Sequence, residues 1–512
     1  MPNIETDEDH GPFGRPLFDD PMARALSRVG VVDVGSNSVR MVVFDGAARS
    51  PAYFYNEKVM CGLGKGLAET GRLNPQGRVR ALAALTRFAL LARGMGIDPL
   101  TVVATAATRE ASDGPDFQAE VLAKTGLKLW VIDGGEEARL SAQGVLLGWP
   151  EATGMVCDIG GNSMELARIG GGKVGKRVST PLGPFRLQQV SSDPAIRAAH
   201  IGKILKTAQA ELKSENERIY LVGGSWRVIA RLDMERRGYP LTVLHEYRMT
   251  PKSLSDTLDW IATADLALLR ARTGTSTERM ELVPLACEVL REIIRVLKPS
   301  EIDVSAYGIR EGLLYEQMPE LLRARDPLIE AARMAEKSFA RIPGFGKKLF
   351  EFLQPLFVDV TPERLRLIKA ACLLHDTTWR AHPDYRAEAC FDNATRAILG
   401  GLDHPGRVFL GLALLHRYKN SHSGSRMENL FRLLTEDELK DAEVLGKAMR
   451  FGAMFAVGDP GQAARLHWTP KTRALQLDLT ADGHGLFGEV AQARFTSLAQ
   501  SLKATTKLGE MA

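Results

Sequence analysis

One short pattern is written twice in this chain. Asp33-Val34-Gly35-Ser36-Asn37-Ser38 runs into Met41-Val42-Val43-Phe44, and Asp158-Ile159-Gly160-Gly161-Asn162-Ser163 runs into Glu165-Leu166-Ala167. In each copy an apolar run (29–32 or 155–157) carries a strand to an Asp, a glycine turn follows, and apolar residues open a second strand. Each copy therefore predicts a tight hairpin. Glycine in the turn removes a Cβ and lets backbone N–H groups approach a phosphate, while Ser and Asn add hydroxyl and amide donors. The Asp at the strand end can hold a divalent cation, directly or through water. A single Gly-Ser-Asn turn is usually only a turn. Two in the same acid, turn, hydroxyl order predict two similar lobes facing a cleft.

With 512 residues the chain exceeds what one core can hold, so three or four domains are expected. The five cysteines (Cys61, Cys157, Cys287, Cys372, Cys390) lack Cys-x-x-Cys spacing and lie mostly in apolar runs, which predicts buried thiols in a reducing cytoplasm. Residues 1–27 are polar, begin with acids and lack an apolar core of signal-peptide length, so a flexible segment and no export are expected. No run reaches the roughly 20 apolar residues of a membrane span. The net charge of +4 is uneven, with 27 Lys and Arg against 22 Asp and Glu from residue 321 onward. Such an excess serves solubility or a long anionic substrate.

Strands are expected over 29–48, 102–104 and 127–132, with helices over 75–95 and 115–125. Alternating strands and helices predict an α/β lobe. A second lobe starts near 150 and includes strands at 219–222 and 302–305 and a helix at 282–297. Beyond residue 315 the texture turns helical, with segments at 327–340, 345–353, 362–374, 387–399, 405–418 and 436–455. Alternation over 465–480 and a helix at 487–502 predict a small α+β end. The expected organisation is a flexible segment at 1–27, lobe I at 28–145, lobe II at 146–318, a helical domain at 319–460 and an α+β domain at 461–512.

The first hairpin, Thr105-Ala106-Ala107-Thr108-Arg109-Glu110-Ala111, Gly134-Gly135-Glu136-Glu137-Ala138-Arg139-Leu140, the second hairpin, and Tyr307-Gly308-Ile309-Arg310-Glu311-Gly312-Leu313-Leu314-Tyr315-Glu316 occur in this order. Together they resemble the exopolyphosphatase and guanosine pentaphosphate phosphohydrolase family. The resemblance implies two actin-like (ribonuclease H-like) lobes, an all-α domain similar to a degenerate His-Asp metal phosphohydrolase domain, and a small terminal α+β domain. It also implies a homodimer.

The chemistry of such a site needs a terminal phosphoryl group gripped, its charge neutralised and a water aimed in line with the leaving oxygen. The grip falls to Gly35, Ser36, Asn37, Ser38, Gly160, Gly161, Asn162 and Ser163. Glu137 follows an apolar strand and a Gly-Gly turn, from which a carboxylate can project into the cleft as the base. The resemblance also places the catalytic Glu on the second acid of Glu-Glu-Ala-Arg. From the residues alone, Glu136 and Arg139 could equally make a helix-start charge cluster. Arg109 would grip the terminal phosphate, or else pair with Glu110 or Asp113. Asp33, Asp158 and Glu165 would hold Mg²⁺ or Mn²⁺ through carboxylate oxygens. Glu165 is otherwise a solvated strand residue. Asn162 stands where the family more often has a third Gly. In Leu221-Val222-Gly223-Gly224-Ser225-Trp226-Arg227, Trp226 would fill a nucleotide pocket and oppose ATP binding, or else is a core residue beside a turn.

His375-Asp376 resembles the His-Asp pair of metal phosphohydrolases, yet no His lies between His245 and His375 to complete a binuclear site. A structural pair is expected. Arg364, Arg366, Lys369, Arg417 and Lys419 either are helix-surface charges or line a channel for a phosphate chain. The leading expectation is a Mg²⁺-dependent exopolyphosphatase releasing orthophosphate. The rivals are hydrolysis of guanosine pentaphosphate to tetraphosphate at the same site, and a phosphate-ligand sensor without useful turnover. Nucleic acid is not an expected partner, since no basic-aromatic platform is visible.

Overall fold

Period-2 alternation decides what each hairpin presents to its neighbours. In β1 (Val29–Val34) and β2 (Ser38–Phe44), Val32, Val34, Val39, Met41 and Val43 pack into the outer core of the first lobe. Val29, Val31, Val42 and Phe44 pack on the opposite, inter-lobe side. Asp33 and Arg40 continue that inter-lobe stripe at its cleft end, as directly paired neighbours. This computed structural model describes residues 28–45, 49–97, 100–213, 217–421 and 426–511; the segment expected at 1–27 lies outside them.

With β3 (Tyr53–Met60), β4 (Leu100–Ala104) and β5 (Leu129–Val131), the first hairpin forms a sheet of order β3-β2-β1-β4-β5. The second sheet contains β6 (Gly154–Ile159), β7 (Met164–Gly170), β8 (Lys173–Thr180), β9 (Ile219–Val222), β10 (Tyr247–Met249) and β11 (Ile302–Val304), in order β10-β11-β9-β6-β7-β8. Without its edge strand β10, that order reads β8-β7-β6-β9-β11, the same path as the first sheet. Each sheet has two antiparallel hairpin pairings followed by two parallel ones. The sequence repeat is thus a structural repeat. Strands β3 and β8 escape the hydrophobicity pattern because they are half-exposed edges of mixed polarity.

Between the sheets lies a shared apolar layer built on two helices, Gly134–Gly148 and Ile309–Glu316. They meet through glycine: a Cβ on Gly144 would stand 2.2 Å from the carbonyl oxygen of Gly308, and one on Gly312 1.8 Å from that of Leu140. The helix from Gly134 packs on β7 and β8 of the second sheet.

The chain divides into two compact units, ending and beginning at Arg325 and Asp326. The second unit is helical, with segments Pro327–Phe339, Phe345–Leu353, Pro362–Leu374, Arg386–Arg396, His404–His416 and Glu436–Phe455. Its end carries β12 (Ala464–Thr469), β13 (Ala474–Leu479), helix Glu489–Ser501 and β14 (Thr505–Glu510), with β14 parallel to β13. Leu466, Leu475, Leu477 and Phe495 join the core of the helices. No break in that core marks residue 460, because three strands and one helix are too small to bury their apolar face alone. No helix among the described residues is long and apolar enough to cross a membrane.

Candidate active site

Both hairpins turn the same way. Gly35 N–H donates to Ser38 O at 3.0 Å and Gly160 N–H to Ser163 O at 2.9 Å. The turns touch: a Cβ on Gly161 would lie 3.1 Å from Ser36 Cβ and 3.0 Å from the Phe185 ring. A side chain there would press on both neighbours. The turns line a solvent-open cleft, together with Asp33, Glu137, Asp158, Gly223, Gly224 and Ser225. Gly223 takes φ +116° and a Cβ on it would meet Ile159 O at 2.6 Å, so the start of helix Gly224–Arg236 runs close beneath β6. Helix N-termini at Gly224 and Ile309 line the cleft, each adding partial positive charge, and Glu137 reaches it from helix Gly134–Gly148.

Glu137 stands in the first turn of its helix. The Gly-Gly turn expected before it is instead helical: the Asp133 carboxylate accepts from Glu136 N–H at 2.7 Å and caps the helix. Gly134 is needed because a Cβ would meet Ser179 Cβ at 2.4 Å. Arg109 lies against Glu137, which lines the cleft. Its Nη1 donates to Ile132 O at 2.7 Å and to Glu137 Oε2 at 3.3 Å, while Glu110 pairs with Arg186 and Asp113 with Arg78. Arg109 therefore meets the candidate base directly.

The expected three-carboxylate ligand set does not assemble. Among the described residues no group of three or more His, Cys, Asp or Glu side chains is placed to hold a metal ion. Asp33 and Asp158 face the cleft, but Glu165 is buried behind it, accepting from Ser179 Oγ at 2.8 Å. Glu165 is no solvated residue either. Burial raises Asp33 and Asp158, the latter held by Ser141 Oγ. Burial raises both Glu137 and Glu165; the charge of Glu165 adds to the rise of Glu137, and that of Asp158 helps push Glu165 up to about 8. Asn162 also departs from its expected role: it is turned inward, 2% exposed, with Oδ1 lacking an acceptor's partner among the described residues. The other turn residues, Gly35, Ser36, Asn37, Ser38, Gly160, Gly161 and Ser163, do line the cleft.

Five basic residues that the sequence reading gave no role also line it: Arg40, Lys58, Arg227, Arg279 and Arg310. Arg310 Nη1 lies 3.7 Å from Asp33 Oδ2, and its Nε is a buried donor without an acceptor among the described residues. Burial, with Arg279, Arg40, Arg227 and Arg310 nearby, pushes Lys58 down to about 7. Arg227 is pushed down to about 10 by burial and by Arg310 and Arg40. Such crowding of cations marks a place built for an anion. Trp226 does not fill the pocket; it is fully buried in the second lobe's outer core.

In the second unit, Asp376 accepts from Arg341 Nε at 2.8 Å and Nη2 at 2.7 Å, and His375 Nδ1 bonds Cys372 O at 2.8 Å. Burial holds His375 down to about 4. The pair is structural. Arg364 and Arg366 are paired with Glu438 and Asp326, and Arg417 is buried.

The Ppx/GppA phosphatase family profile matches residues 42–321, and that of the exopolyphosphatase C-terminal region residues 328–508. The chain belongs to the Ppx/GppA phosphatase family. Retrograde regulation protein 2 of Saccharomyces cerevisiae is 25% identical over 489 residues, covering 86% of this chain and 78% of the yeast protein. Exopolyphosphatase 2 of Mycobacterium tuberculosis is 27% identical over 317 residues, 56% of this chain and 98% of that protein. A crystal structure of an exopolyphosphatase from Cytophaga hutchinsonii superposes with a TM-score of 0.53 at 22% identity, over 57% of this chain and 98% of that one. The family member thus carries the two-lobed, actin-like α/β fold followed by a helical region.

Proposed function

We propose that this chain is an exopolyphosphatase that hydrolyses the terminal phosphoanhydride bond of inorganic polyphosphate. The observation that carries the reading is one cleft in which two glycine turns and five basic side chains face the buried carboxylate of Glu137. A substrate with a charge on every unit matches a site with several cations along its wall. Water oxygen attacks the terminal phosphorus, the bond to the bridging oxygen breaks, and the shortened chain leaves with that oxygen. The water proton passes to Glu137. Arg109 holds the Glu137 carboxylate in place, the turn N–H groups and Arg310 hold the phosphoryl oxygens, and Arg40, Lys58, Arg227 and Arg279 hold the following units. Phosphoryl transfer asks little more than this positioning and charge balance.

A divalent cation fits the donors present. Mg²⁺ commonly takes one or two carboxylates and completes its shell with waters and phosphate oxygens. Asp33 and Asp158 face the cleft beside Glu137, and burial raises both despite the cations nearby. Mg²⁺ or Mn²⁺ held there would neutralise charge on the phosphoryl oxygens. A second reading, hydrolysis of guanosine pentaphosphate, is favoured by Gly223, Gly224 and Ser225, which stay open to the cleft because Trp226 is turned into the core. Five free, buried cysteines support a reducing cytoplasmic setting. A homodimer rests on family resemblance, and light scattering tests it.

Orthophosphate release with Mg²⁺ from long-chain polyphosphate and from guanosine pentaphosphate, for wild type and Glu137→Gln, decides between these readings. Fast release from polyphosphate that the variant loses is the expected result. Preference for the guanosine compound moves the function there, and no release from either leaves a sensor.

A further inference from the structure

The second unit holds charged side chains that the cleft does not use. Helix Pro362–Leu374 ends at His375 and Asp376, helix Arg386–Arg396 begins nearby, and helix His404–His416 delivers Arg417 and Tyr418 to the same place. Asp376 is spoken for by Arg341, and Tyr418 Oη donates to His375 O at 3.0 Å and approaches Asp376 Oδ1 at 3.5 Å. His375, held low by burial, adds no charge at neutral pH. Cys390 Sγ is bonded to Thr378 Oγ1.

Two guanidinium groups are left over. Arg417 is 6% exposed, its side chain makes no hydrogen bond or ion pair among the described residues, and its Nε is enclosed without an acceptor. Its Cζ lies 4.8 Å from the centroid of the Tyr418 ring. The Arg386 Cζ lies 5.6 Å from the same centroid. Arg386 donates once, from Nη2 to Ala381 O at 3.3 Å, and its Nε is likewise enclosed without an acceptor. A buried cation without an acceptor destabilises a fold unless something binds it. The C-terminal carbonyls of helix His404–His416 offset at most part of one charge.

We propose that Arg417 and Arg386, beside Tyr418, form a second anion site that takes a phosphate oxyanion, either free orthophosphate or the end of a phosphate chain. Planar guanidinium groups bind phosphate oxygens through paired N–H donors, and the aromatic ring fixes their planes. The inference does not rest on the reading of the cleft.

The test is hydrogen exchange on the full chain with orthophosphate or with tripolyphosphate, each at millimolar concentration. Peptides covering 372–390 and 415–421 should exchange more slowly with at least one of them. Arg386→Gln and Arg417→Met should each abolish that slowing, while peptides covering 33–40 keep their own response. Slowing by orthophosphate alone assigns the free anion, and slowing by tripolyphosphate alone assigns a chain end. Thermal melting adds a readout that a merely structural arginine does not give: Arg417→Met should melt no lower than wild type without anion and should lose the anion-dependent rise. No slowing in wild type with either anion, or slowing that persists in Arg386→Gln, overturns the site. Arg386 is only half-buried, so its variant carries the test if Arg417→Met does not fold.

Discussion

The two hairpins share a backbone and differ in charge. Across the first, the register aligns Asp33 with Arg40 and Arg40 with Lys58; across the second, it aligns Asp158 with Glu165 and Glu165 with Ser179. The same row of the same fold therefore presents an acid and two cations in one lobe, and two acids and a hydroxyl in the other. The duplicated backbone supplies two turns that hold phosphate, and the residues opposite each Asp decide what else each lobe does. The first row and Arg310 make a place for anions. The second gathers protons, since buried Asp158 and Glu165 stand side by side, Asp158 raising Glu165 and Glu165 in turn raising Glu137.

Four changes would break or sharpen this contrast. Glu137→Gln removes the proton acceptor and should lower kcat by roughly 10²–10⁴-fold, the range for positioned general bases, with the melting temperature unchanged or higher. Steady-state phosphate release and calorimetry read both. Arg40→Glu gives the first row the acid of the second. It should cost about 100-fold in kcat/KM for polyphosphate, from a lost charge-assisted contact plus new repulsion, while circular dichroism stays native. If the two rows were interchangeable, activity would survive.

Lys58→Met probes the crowding of cations. With Lys58 at about 7 in the free protein, most of it is neutral at pH 8, and a bound polyanion should raise it and draw in close to one proton. Titration calorimetry of tripolyphosphate in buffers of different ionisation enthalpy should show that uptake in wild type and not in the variant.

Glu165→Gln tests the acidic row. Glu165 moves from its ordinary 4.5 to about 8 in the folded chain, so the folded state holds its proton more tightly than the unfolded state. Its contribution to stability is full below about 4.5 and is lost as pH rises towards 8. Glu165→Gln should match wild type near pH 4.5 and exceed it by about 1–3 kcal/mol at pH 8 in metal-free denaturant melts. The same variant relieves Glu137 of one repulsion, so the acid limb of the activity profile should move to lower pH.

The hairpins were legible because everything that makes them is local: alternating apolar residues, an Asp, and a glycine turn. Helix Gly134–Gly148 was missed: Asp133 followed three residues later by Glu136 is a start signal, but the Gly-Gly pair reads as a turn. Glu137 is placed in the cleft, but by a helix. Arg109 and Glu165 could not be oriented from sequence. Whether Arg109 reaches into the cleft depends on the carbonyl of Ile132 and the carboxylate of Glu137, which only the packed lobe brings within 2.7 and 3.3 Å. The basic wall had no local signal at all, since Arg40, Lys58, Arg227, Arg279 and Arg310 come from five separate segments.

By itself the sequence determined the repeat, the two α/β lobes, the helical remainder and the chemical class of the site, because periodicity and turn chemistry act over a few residues and the motifs keep their order along the chain. The tertiary structure decided which charges meet. It put Glu165 and Asn162 behind the cleft, Trp226 in the core and five cations on one wall, because burial and electrostatics depend on distances through space that no spacing along the chain encodes.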